Sequence, residues 1–186
     1  MNHADHVRLI ASGIPESGGL WADMGAGDGA FTLALRDVAG PNVEIVAVDT
    51  NQGALRLLAD KVMSIFPDAN LHILADDMTG PLELRDLDGI IAANSLHYVD
   101  RRRHSSVLRS WRSLLRNDGR LIIVEYDADE GNRWVPFPIS FRALTRLATL
   151  AGYQAPVQLG MHASHFMNGI YAAKLVPAPG PMDFHD

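Results

Sequence analysis

Hydrophobic positions in this chain fall into short unbroken runs separated by stretches of helical spacing. The runs are "LWADM" (20–24), "VEIVAV" (43–48), "LHILA" (71–75), "LDGIIAA" (87–93) and "RLIIVEY" (120–126). Their length and composition predict strands. In 54–66, Leu55, Leu58, Val62 and Ile65 share one helical face. In 104–116 the same spacing picks out Val107, Leu108, Trp111, Leu114 and Leu115. A further helix is predicted over about 140–151, with Phe141, Leu144, Leu147 and Ala148 inward and Gly152 placed to end it.

Strands alternating with helices, with no two-residue hairpin turn between them, imply right-handed crossovers and a parallel sheet. The pattern changes after Gly152. Two strand-like runs, about 154–160 and 169–176, are separated only by the loop "MHASHFMN". So short a connection holds no crossover helix, which predicts an antiparallel pair. The expected architecture is one α/β domain over residues 1–176, doubly wound around a mostly parallel, seven-stranded, Rossmann-like sheet that ends in that hairpin. The tail "PAPGPMDFHD", 177–186, is rich in proline and glycine and is expected to be disordered.

Composition narrows the function classes. With 186 residues, 47% hydrophobic and 20% charged, the chain can bury a core as a single unit. It has no cysteine, which removes disulfides and thiolate metal sites. A formal charge of −6 weighs against general nucleic-acid binding. No run approaches a membrane span, and the amino end lacks the basic-then-apolar order of a signal peptide. The expectation is a soluble, cytoplasmic protein.

The most informative stretch is "DMGAGDGAFT", Asp23 to Thr32, which joins the first strand to the first helix after it. In doubly wound sheets ligands collect at that edge. Gly25, Gly27 and Gly29 spell one nucleotide-binding pattern; Gly25, Gly27 and Ala30 spell the dinucleotide one. Asp23, two residues before Gly25, is a poor neighbour for a pyrophosphate at a helix amino terminus but a good one for an ammonium group. Asp49 ends the next strand, where a carboxylate accepts from ribose hydroxyls in any adenosine ligand. A hydride-transfer apparatus is missing: there are two lysines, and Tyr171 and Lys174 have the wrong spacing for a dyad on a helix. The dinucleotide reading loses.

With these residues in view, the chain resembles the class I S-adenosylmethionine-dependent methyltransferases of the small seven-stranded kind. "WADMGAGDGAFT" resembles their first motif, and "VAVDTN" the acidic end of their second strand. "ADDMTGPL" resembles the adenine-holding segment, and "LDGIIAANSLHYV" the fourth-strand motif. The resemblance covers about residues 15–176. It implies S-adenosylmethionine as methyl donor and S-adenosylhomocysteine as product. Asp23 would face the methionine amino group, and the backbone of Gly25, Ala26, Gly27 and Gly29 would line the donor. Asp49 would bind the ribose, and Thr50 would lie beside the adenine. Asp77, or Asp76 with the motif shifted by one, would accept from the adenine amine, while the Met78 N–H reaches a ring nitrogen. Asn94, just after the fourth strand, would lie near the donor and the acceptor entrance.

Methyl transfer from a sulfonium needs alignment above all, and a base only where the acceptor loses a proton. The candidate base is His97, with ordering of its loop or lining of the pocket as the alternative. Tyr98 is a candidate pocket wall. Glu125 and Asp127 end the fifth strand at the same edge, where they contact the acceptor or are simply solvated. The fourth-strand motif lacks the paired prolines of many nucleic-acid and protein amino-group methyltransferases, which favours a small-molecule acceptor. Lid material is thin: the first helix, about 3–12, and "DADEGNRWVPFPISF". Such a site is open, takes a larger partner, or is completed by a second subunit in a homodimer. The alternative function is a catalytically silent donor-binding protein with a regulatory or scaffold role.

Other clusters read as structural. Seven arginines between Arg101 and Arg120 fit a solvated helix face better than a nucleic-acid surface, since no aromatic residues interleave them. His162 and His165 have metal-pair spacing without a completing ligand, so no metal site is expected. Asp88 opens a strand, and Trp21 and Trp111 fall in core patterns.

Overall fold

The computed structural model describes residues 1–164 and 167–179. Seven strands form one sheet: β1 Gly19–Met24, β2 Val43–Val48, β3 Asn70–Leu74, β4 Leu87–Ala93, β5 Leu115–Tyr126, β6 Val157–His162 and β7 Ile170–Leu175. Their order is β3-β2-β1-β4-β5-β7-β6. The first five strands run parallel, and β7 is antiparallel to both β5 and β6. This is the doubly wound sheet with a terminal hairpin that the sequence predicts.

Among the described residues five α-helices accompany it: α1 His3–Ile10, α2 Ala30–Ala39, α3 Gln52–Ile65, α4 His104–Leu114 and α5 Phe141–Leu150. Their amino ends are set by local chemistry. Asn2 and Asp5 form a reciprocal capping box on α1, Asn51 accepts from Gly53 and Ala54 N–H on α3, and the Ser140 hydroxyl accepts from Ala143 N–H on α5. Leu9 and Ile10 of α1 and Leu35 of α2 join Trp21, Ile45 and Ile122 in a core on one sheet face. Trp111 of α4 and Leu144 of α5 join Ala22, Ile90 and Ile123 on the other. Side chains of β1 therefore alternate between the two cores, which sends Asp23 to the α1–α2 side with Trp21.

Two boundaries differ from the sequence reading. The helix expected to reach 116 stops at Leu114, and β5 starts five residues before the expected 120. Leu115 already pairs with Leu87, and the register then slips so that Arg120 pairs with Gly89. The run Asn117–Asp118–Gly119 absorbs that slip, which hydrophobic periodicity does not record. The chain also stays in the fold past residue 176: Pro177 bridges to Tyr153 and Ala178 N–H donates to Gly152 O. The tail from residue 180 lies outside the described residues.

No helix occurs in 75–86, between β3 and β4. Met78, Leu82 and Leu84 of that segment pack against the α4–α5 core instead. Ile73 is left exposed on the sheet edge. Among the described residues, no helix is long and apolar enough to cross a membrane.

Candidate functional site

The strand order reverses between β1 and β4, and the chain leaves the carboxyl ends of both there, opening a crevice. After Met24 the chain turns through Gly25 at φ 77° and Gly27 at φ 53°. A Cβ on Gly25 would stand 2.4 Å from Ser95 Cβ, so that residue must be glycine to let the two loops approach. Gly27 differs: nothing lies within 4 Å of its missing side chain, and its bare backbone faces open space. Gly29, at φ 88°, is the amino cap of α2.

Asp49, at the end of β2, holds this loop in place. Its Oδ2 accepts from Gly27 N–H at 2.9 Å and its Oδ1 from Asn51 N–H at 2.8 Å. A carboxylate has about four acceptor positions, so about two remain for a ligand. Thr50 follows it at the surface.

The opposite wall comes from residues 76–80. Asp77 accepts from the Thr79 N–H and hydroxyl, both at 2.8 Å, and the N–H bond holds its carboxyl below the usual range. Asp76 accepts from Asp77 N–H at 2.7 Å. The Trp111 indole donates to Met78 O at 2.8 Å, which ties this wall to α4. Gly25, Gly27, Asp49 and Thr50 line one cavity of about 400 Å³ together with Asp76, Asp77, Met78, Asn94, Ser95 and Tyr98. Nine of these ten were expected from sequence. Ser95 was not; its hydroxyl donates to Met24 O at 2.7 Å and joins the β1 and β4 ends.

A second, smaller cavity of about 230 Å³ shares Gly25, Gly27 and Asn94 with the first and continues onto the α1–α2 side. Asp23 and Ala26 line it, with His6 of α1. Asp23 is 1% exposed and accepts from the Thr32 hydroxyl at 2.6 Å. Burial, opposed by the Thr32 bond and helped by the nearby Asp49 charge, raises its carboxyl to about 7. Asn94 sits between the cavities at φ 53°, an uncommon conformation for a residue with a side chain. Its Oδ1 is enclosed and has no hydrogen-bond partner among the described residues.

His97 and Glu125, placed by sequence at the same edge as base and acceptor contact, line neither cavity. His97 is 2% exposed and Glu125 is fully buried. Glu125 Oε1 accepts from His97 N–H at 3.1 Å, and Oε2 from His97 Nδ1–H at 2.8 Å and Tyr126 N–H at 3.3 Å. The imidazole lies between Tyr98, with centroids 4.3 Å apart, and Tyr126, at 5.6 Å. Glu125 turns inward because β5 is buried on both faces, so one residue of register decides between cleft and core. Asp127, two residues on, caps α5 by accepting from Phe141 N–H at 2.9 Å.

The other clusters serve the fold. Asp88 accepts from Leu20 N–H and pairs with Arg116. Arg101 and Arg109 donate to the carbonyls of Asp129 and Leu150, Arg102 pairs with Asp100, and Arg103 donates to the Thr79 hydroxyl. His162 ends β6 and its Nδ1–H donates to Ala163 O at 2.7 Å, while His165 lies outside the described residues. Trp21 and Trp111 are both core residues.

A glycine loop at the switch point, a carboxylate at the end of β2 and a terminal antiparallel strand together define a doubly wound α/β fold with a crevice at its switch point. A family model described as a methyltransferase domain matches residues 22–119, and the chain belongs to that family. It is an S-adenosylmethionine-dependent methyltransferase domain. A comparison with curated protein sequences finds no match.

Solved structures share the fold. It is similar to the YcgJ protein from Bacillus subtilis, with TM-score 0.76 and 13% identity over 96% of this chain and 100% of that one. It is similar to 1,6-didemethyltoxoflavin-N1-methyltransferase from Burkholderia thailandensis, solved with its acceptor and S-adenosylhomocysteine: TM-score 0.74, 17% identity, 96% of this chain and 79% of that one. For the mitomycin 7-O-methyltransferase MmcR the values are 0.72 and 14%, over 94% of this chain. The chain spans about half the length of that enzyme, 53%.

The two cavities fit the family's donor. The open space beside Gly27 accommodates a ligand against bare backbone, and the orphaned Asn94 Oδ1 offers an acceptor where the cavities meet.

Proposed function

We propose that this protein transfers a methyl group from S-adenosylmethionine to a small-molecule acceptor, at oxygen, nitrogen or carbon, by alignment without a protein base. The observation that carries the reading is the pair of joined cavities, which offers acidic acceptors at both ends and bare glycine backbone between them. The bound donor supplies a methyl group already activated by its sulfonium.

Asp49 uses its remaining acceptor positions for the ribose hydroxyls, and Thr50 flanks the adenine. Asp77, with Asp76 beside it, accepts from the adenine amine, while Met78 N–H reaches a ring nitrogen and is held there by Trp111. Asp23 takes the ammonium of the methionine end, and Asn94 separates donor from acceptor. Tyr98, 66% exposed at the cavity rim, forms a wall for the acceptor. His97, committed to Glu125, braces that wall from behind.

Similarity to enzymes whose names specify an oxygen and a ring nitrogen supports a small acceptor of either kind. The test is calorimetry with S-adenosylhomocysteine, followed by turnover on a panel of phenols and nitrogen heterocycles. Binding with turnover on one of them supports the reading, and binding without turnover on any acceptor contradicts it. That second outcome favours a catalytically silent donor-binding protein.

A further inference from the structure

The smaller cavity has a charge arrangement that the donor reading alone does not use. A ligand ending in an amino acid carries an ammonium and a carboxylate close together, and each needs a partner when it leaves water. Acceptors for the ammonium are present in Asp23 and the orphaned Asn94 Oδ1. The carboxylate needs donors. Asp28, also on this cavity, repels it and is itself engaged by Lys61 at 2.6 Å. His6 offers a ring N–H from the lining, and because burial holds its pKa below the ordinary histidine value it is the neutral imidazole that donates.

We infer that His6, on the amino-terminal helix, binds the carboxylate at the methionine end of the donor. The inference rests on the donor reading and deepens it with a residue outside the family match of 22–119. The placement of His6 is built. Its ring packs on Phe31 with centroids 4.7 Å apart, and α1 is anchored beneath by the buried Leu9 and Ile10. The ring makes no hydrogen bond to the described residues, so its nitrogens are free to serve a ligand. The first turn of α2 adds donors: its cap, Gly29, has no side chain to satisfy the N–H groups that follow, and Ala30 and Phe31 line the same cavity. A sequence reading restricted to the glycine loop misses His6, because α1 reaches the site only through tertiary packing.

Calorimetry with two ligands tests this. S-adenosylhomocysteine carries the amino-acid end, and 5′-methylthioadenosine is the same nucleoside thioether without it. His6→Ala is expected to weaken the first about ten-fold, the worth of one hydrogen bond to a charged group, and to leave the second within about two-fold. His6→Gln, which keeps a donor, is expected to recover part of the loss. Thermal melts check that α1 remains docked. An unchanged affinity for S-adenosylhomocysteine overturns the inference, and so does equal weakening of both ligands, which would mean that His6 only shapes the site. If the wild type binds both ligands equally, the amino-acid end has no site and the inference falls while the donor reading stands. Failure of the wild type to bind either ligand removes the donor reading and this inference together.

Discussion

Replacing Asp23 with Asn separates what this carboxylate costs the fold from what it gives the site. Asp23 is 1% exposed and its carboxyl is raised, mainly by burial, from 3.8 to about 7. A raised folded-state value means that stability is fully present below 3.8 and is lost as pH rises through about 7. The full displacement corresponds to about 4 kcal/mol once both states are ionised. Asparagine keeps an oxygen for the Thr32 hydroxyl and has no charge to bury. In urea unfolding, Asp23→Asn is expected to exceed the wild type by about 2–4 kcal/mol at pH 8 and by under about 1 kcal/mol at pH 4. The same variant should bind S-adenosylhomocysteine about ten-fold or more weakly at pH 8, because an amide cannot neutralise an ammonium. Wild-type affinity should fall below about pH 7 as Asp23 takes up its proton, and the variant's should not follow. A stability gap independent of pH, or a variant less stable than wild type at pH 8, would refute the reasoning.

Three other substitutions probe the site's supports. Gly25→Ala places a Cβ 2.4 Å from Ser95 Cβ at φ 77° and is expected to cost about 1–3 kcal/mol and to abolish ligand binding, read by melting and calorimetry. Trp111→Phe removes the indole bond to Met78 O, so it should cost about 1 kcal/mol and weaken S-adenosylhomocysteine about five-fold. Glu125→Ala strips three N–H donors of their acceptor and should cost about 3 kcal/mol in urea unfolding, with Glu125→Gln losing less.

The strands and most of the cavity were legible in the sequence for a physical reason. Parallel strands covered on both faces appear as continuous apolar runs, and the residues that follow their carboxyl ends must gather at one edge. That is why Asp49 could be placed at the ligand edge before any coordinates, while Asp77 and Asn94 were assigned to the same site through the resemblance to the methyltransferase motifs. Side-chain direction at those ends was not legible. In "VEY" nothing distinguishes a glutamate facing the cleft from one turned onto His97, because both faces of β5 are buried over residues 121–125. Ser95 and His6 were missed for a related reason: each reaches the site through packing between elements, and neither belongs to a local pattern. The early end of α4 escaped because Leu115 continues the apolar helical spacing while its backbone pairs with Leu87.

The most direct test of the donor site is calorimetry with S-adenosylhomocysteine and NAD on the wild type and on Asp49→Ala. Asp49 both shapes the loop through Gly27 N–H and offers acceptors to a ribose, so its loss should be felt at once. The account predicts binding of S-adenosylhomocysteine but not NAD by the wild type, with that binding lost or weakened at least about ten-fold in the variant. Binding of NAD alone, or S-adenosylhomocysteine binding that is indifferent to Asp49, would contradict it.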